Sequence, residues 1–86
     1  MKEIHLLQEL EMLAAELAIE VRYETMEHRG GLCRYGGKVY LIIPDDLPIA
    51  QRIDVLVGAL ARQPIDTVFV RPDIRALLTS RNENRT

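Results

Sequence analysis

The pair Gly36-Gly37, set between two short runs of β-forming residues, constrains this chain more than any other feature. Consecutive glycines accept positive φ at both positions, which is what a two-residue hairpin turn requires. Leu32–Tyr35 and Lys38–Ile43 therefore read as neighbouring antiparallel strands. The second is apolar without a break from Val39 to Ile43, the pattern of a central strand covered on both faces. Upstream, Val21–Glu27 alternates and is rich in β-formers, which predicts another strand, with His28-Arg29-Gly30-Gly31 as the turn that follows it. The expectation is a three-stranded antiparallel meander.

Helices flank it. From residue 3 to about 19, Leu6, Leu7, Leu10, Leu13, Ala14 and Leu17 fall on one face at 3.6-residue spacing, with Glu9, Glu16 and Glu20 opposite. This is a core-facing stripe, and its acidic polar face is unlike that of a membrane-surface helix. After Pro44, Asp45-Asp46-Leu47-Pro48 reads as a helix entry, acidic residues favouring the positive end of the helix dipole. The second helix runs from about Pro48 to Gln63, with Ile49, Ile53, Leu56 and Leu60 as its stripe. Val55, Gly58 and Ala59 lie off that stripe, so the helix offers a second, small-residue apolar surface, to be covered either by a second subunit or by the first or third helix of the same chain.

Asp66–Val70 has the composition of a fourth strand. The strand–helix–strand passage from Val39 to Val70 then implies a parallel pairing through a right-handed crossover. Arg71-Pro72-Asp73 opens a short third helix carrying Ile74, Leu77 and Leu78. The fold class is therefore α+β: one domain over residues 1–80 with a polar tail at 81–86. With 86 residues, no Trp and one Phe, the core must be built from Leu, Ile, Val and Ala. A core that small is often completed by a second subunit.

Most familiar chemistries lack their residues here. One cysteine forms no internal disulfide, and no apolar run approaches the roughly 20 residues of a membrane span. The first residues lead into a Glu-rich segment rather than an apolar signal core, so the cytoplasm is the expected location. Cys33, His5 and His28 are the only Cys and His ligands and have no chelating spacing, so no metal and no cofactor are expected. The glycine pairs match no phosphate-binding fingerprint. Asp45-Asp46 reads as helix capping rather than acid–base machinery, and no Ser/His/Asp set is visible. The chain is not expected to be an enzyme.

Two surfaces remain as binding candidates. The first is a thiol or ligand site at His28, Arg29, Cys33 and Arg34, where basic neighbours would favour the thiolate. Set against it is the reading that Cys33 points inward as a small apolar filler. The second is a single-stranded nucleic-acid surface of Arg22, Arg29, Arg34 and Lys38 interleaved with Tyr23, Tyr35 and Tyr40. Glu24 and Glu27 in the same segment weigh against it. Charge is uneven, −5 over residues 1–28 and +3 over residues 29–86, too small a basic excess for a typical nucleic-acid domain.

The run Leu32–Arg62, "LCRYGGKVYLIIPDDLPIAQRIDVLVGALAR", resembles the core of the minimal zincin peptidases of the ImmA/IrrE type, most closely over Ile42–Arg62. In that family a hairpin strand is followed by an Asp-x-Leu-Pro entry and a helix carrying HExxH. Here Val57 and Ala61 stand where the two metal-binding histidines would fall, and Gly58 where the catalytic glutamate would. The resemblance thus implies a metal-free scaffold used for binding. The pattern GGLCR…GK also resembles that of a small bacterial family, which implies no function. Taken together, the sequence points to a protein-interaction module that forms a homodimer through Val55, Gly58 and Ala59, with a protein partner and neither membrane nor nucleic acid.

Overall fold

A computed structural model describes residues 2–25 and 30–83. It contains helices α1 (Glu3–Glu16), α2 (Ile49–Leu60) and α3 (Pro72–Glu83), and strands β1 (Ile19–Glu24), β2 (Gly31–Tyr35) and β3 (Lys38–Pro44). The chain is α+β, as its patterning indicates.

The strands follow the order β1-β3-β2. β2 and β3 form the hairpin that Gly36-Gly37 predicts, and both glycines take positive φ, 61° and 80°. β1, however, pairs with β3 in parallel, Ile19 beside Val39 and Tyr23 beside Ile43. The antiparallel meander is thereby corrected. An alternating strand such as IEVRYE has the same apolar face whether its neighbour runs parallel or antiparallel. Its place is decided by β3, whose Leu41 and Ile43 give Ile19, Val21 and Tyr23 buried apolar neighbours. The neighbours available along β2 are mostly exposed.

The fourth strand is corrected too. Residues 66–70 form turns and irregular chain among the described residues. Both edges of β3 are already taken, so this segment has no central strand to join. Its β-forming residues serve as anchors instead: Val70 is buried and Val68 packs on the core, while Phe69 is 80% exposed. The parallel pairing expected of it exists elsewhere, between β1 and β3.

Because β1 is parallel and β2 antiparallel to β3, the end of β1 and the start of β2 both lie at the C-terminal end of β3. Gly30 sits so close there that an added Cβ would stand 1.7 Å from the Ile42 carbonyl oxygen. Beside it, the Asp45 N–H donates to the Glu24 carbonyl at 3.0 Å and the Thr25 hydroxyl to the Asp45 carboxylate at 2.9 Å.

Leu7, Leu10, Leu13 and Ala14 of α1, Leu56, Val57 and Leu60 of α2, and Ile74 and Leu78 of α3 meet Ile19, Leu41 and Ile43 in one core. Full burial of a leucine such as Leu10 or Leu56 contributes about 2 kcal/mol. The other face of β3 carries Tyr40 and Ile42, half-buried, with the Arg22 guanidinium 4.8 Å over the Tyr40 ring. Among the described residues the central strand is therefore covered by helices on one face, not on two, and sheet side chains shield the other.

Helix ends differ from the expected ones for local reasons. α1 stops at Glu16, and Ala18 closes it in the left-handed region at φ 60°. α2 starts after Pro48, which occupies the cap position without a side-chain hydrogen bond. Asp45 is thus not a helix cap; it receives Thr25. The loop is gathered by Arg52, which donates to the Leu47 and Asp45 carbonyls at 2.8 and 2.9 Å and lies 5.0 Å over the Tyr23 ring. α3 continues to Glu83, past the expected start of the tail, and Arg81 on it lies 3.6 Å from Asp54 of α2.

Candidate functional site

β2 is five residues long, and all but the first are exposed. Its inner edge pairs with β3, and no strand among the described residues pairs with its outer edge. Alternation sends Leu32 and Arg34 to the helix side of the sheet and Cys33 and Tyr35 to the other. Leu32 is 39% exposed and Tyr35 79%. Apolar residues on an unpaired edge strand make a template for pairing with another chain.

α2 lies over this strand. Leu32 and Leu41 from the sheet and Val55, Gly58, Ala59 and Arg62 from the helix line a shallow groove of about 270 Å³. The three interface candidates thus share one groove beside the β2 edge. Their cover is partial: Val55 and Ala59 are half-buried against the core, and a Cβ on Gly58 would meet the Arg81 guanidinium at 3.4 Å. α2 needs its small residues because α1, α3 and the sheet all pack on it.

A second depression, about 540 Å³, opens on the other side of Gly58, between Gly30, Pro44, Gln51 and the Asp54–Arg81 pair. Its charged groups satisfy each other. Val57, at the position the zincin pattern gives to a metal-binding histidine, is buried in the core. Among the described residues no three His, Cys, Asp or Glu side chains gather as a metal-binding group.

The thiol candidates are not brought together. His28 and Arg29 lie outside the described residues, and Cys33 and Arg34 face opposite sides of the sheet. Cys33 is exposed, so it is not the apolar filler that its alternation allowed. It lies beside Tyr40 on the helix-free face. The nucleic-acid candidates divide likewise. Arg22, Lys38, Tyr35 and Tyr40 share the helix-free face, while Arg34 and Tyr23 belong to the other. Arg22 is held by Glu20 and Glu24, and its guanidinium is more basic than usual through the Glu20 hydrogen bond. A cation so neutralised gains little from a phosphate.

One exposed apolar pair escaped the sequence reading. Phe69 and Met12, 80% and 60% exposed, border a hollow between α1 and the start of α3, rimmed by Glu9, Glu16 and Arg71. An alternating strand through 66–70 would have placed Phe69 opposite Val68 and Val70. The signal that could have found its exposure is Pro72, which places a helix start directly after the segment.

Comparison with family models, with curated proteins and with solved structures finds no match for this chain. No helix among the described residues is long and apolar enough to cross a membrane.

Proposed function

We propose that this chain is a non-enzymatic protein-interaction module of the cytoplasm that associates with copies of itself through the β2 edge and the adjoining α2 groove. The observation that carries this reading is the unpaired, exposed β2 edge lying directly beside the groove of Val55, Gly58 and Ala59. An edge strand and a small-residue helix face, side by side, give both backbone pairing and close apolar contact. Homo-oligomers are most often two-fold dimers, and a surface that pairs with itself suits that symmetry. The zincin resemblance fits the same reading, as a scaffold whose metal positions hold Val57 and Ala61.

A native mass spectrum taken across a concentration series tests it. The wild type is expected as a dimer. Leu32→Lys, which adds a charge to the exposed edge, is expected as a monomer with unchanged far-ultraviolet circular dichroism. A wild type that stays monomeric throughout overturns the reading.

The exposure of Cys33 favours a second reading, a thiol-responsive site. It requires fast alkylation of Cys33 in the folded protein, and a slow rate removes it.

A further inference from the structure

The geometry of the hairpin fixes which backbone groups β2 presents outward. In the turn Tyr35-Gly36-Gly37-Lys38 both central residues have positive φ, so the Tyr35 carbonyl faces the Lys38 N–H. Tyr35 and Lys38 are therefore a hydrogen-bonded pair. Such pairs alternate along an antiparallel ladder, which makes Cys33 with Tyr40 the next one. Cys33 thus spends its backbone groups on β3, while Leu32 and Arg34 direct theirs to the open edge.

We propose that a second copy pairs there antiparallel, β2 to β2, about a two-fold axis that passes beside Cys33 and stands perpendicular to the sheet. This inference rests on the self-association reading and specifies its register. Only registers that set Leu32 or Arg34 against an outward-directed residue of the partner complete the ladder. Centring on Cys33 sets Leu32 against the partner's Arg34, and all five residues of β2 are paired. Tyr35 then lies across from the partner's Gly31, where an aromatic ring covers a residue without a side chain. Centring on Arg34 would oppose two arginines and leave three residues paired. Centring on Leu32 also pairs only three residues of the strand and leaves Tyr35 uncovered. The helix layers of the two copies fall on the same side of the joined sheet, so the groove of Val55, Gly58 and Ala59 lies along the seam.

In this register Cys33 faces the partner's Cys33 as a non-hydrogen-bonded pair, with Cα atoms about 4.5 Å apart. That separation falls within the range of about 4.4–6.8 Å that a disulfide spans. The cysteine thereby serves as a reporter of the register.

The experiment adds oxidised glutathione to the reduced protein and follows the covalent dimer by mass. One Cys33 thiolate displaces glutathione thiolate to form a mixed disulfide; the partner's Cys33 thiolate then displaces the second glutathione, leaving one intermolecular disulfide. The C33S/Y35C variant is the comparator, since its thiol is placed on the more exposed residue but faces the partner's Gly31. Cross-linking of the wild type is expected to be faster by tenfold or more, roughly the gain from holding two thiols together. A native mass spectrum of the reduced protein is recorded alongside. A dimer whose two forms cross-link equally fast, or in reversed order, overturns the register and leaves self-association standing. A reduced protein that is monomeric overturns both.

Discussion

The Tyr23 hydroxyl donates a hydrogen bond to the Glu11 carboxylate, tying the last inward-facing residue of β1 to the third turn of α1. Burial first, and the bond to Glu11 second, raise the pKa of that phenol well above its usual value. The neutral form is the one the fold stabilises. Below the unfolded value of about 10 both states hold the proton, and the contribution is complete. As pH rises past that value the unfolded chain loses its proton first, so stability falls. Chemical denaturation from about pH 9 to about pH 12 is expected to show this decline. Tyr23→Phe should cost about 1 kcal/mol at neutral pH and flatten the alkaline slope.

Ala18 carries a side chain in a conformation that favours glycine, φ 60°, at the end of α1. Ala18→Gly is expected to stabilise the protein by about 1 kcal/mol, since it relieves the left-handed strain at a helix terminus. Thermal melts would register this as a rise in Tm, and a fall would mean the alanine methyl makes a contact worth more than the strain.

Two glycines should fail for different reasons. At Gly30 an added methyl meets the Ile42 backbone, which cannot move without disturbing β3, so Gly30→Ala is expected to cost about 3 kcal/mol. At Gly36 a methyl meets nothing within 4 Å, yet φ is 61°, and Gly36→Ala is expected to cost about 1 kcal/mol. Urea denaturation of both variants separates steric from conformational cost.

The loop before α3 offers a contrast between neighbours. Phe69 is 80% exposed, so Phe69→Ser should shift stability by less than about 0.5 kcal/mol. Val70 is buried, and Val70→Ala should cost about 2 kcal/mol. If the larger loss followed Phe69, the segment would be packed the way a strand is.

The elements with their own local signal were legible in the sequence. Gly36-Gly37 specified the hairpin, and the leucine spacing of α1 named Leu7, Leu10, Leu13 and Ala14, all of them buried. What was not legible depends on competition between distant segments. Ile19, Val21 and Tyr23 alternate identically beside either neighbour, and only the claim of β3 on them decides. Val68 and Val70 are apolar in a strand and apolar as loop anchors, so their composition could not separate the two. At the candidate site, Val55, Gly58 and Ala59 were visible as a helix face. That they share a groove with Leu32 depends on a sheet order no local pattern encodes.

The strand order β1-β3-β2 also sets an order of assembly. The β2–β3 hairpin closes through two glycines, whereas Ile19 can reach Val39 only by closing a segment that contains all of β2. Closing the longer segment costs more entropy and is repaid only once β3 is in place. The hairpin is thus expected to form early and β1 to dock late. In stopped-flow kinetics Gly36→Ala should mainly slow refolding, and Val21→Ala should mainly hasten unfolding. The last strand to arrive is then the first in the sequence, and the protein's lifetime in the folded state is governed by how firmly β1 holds.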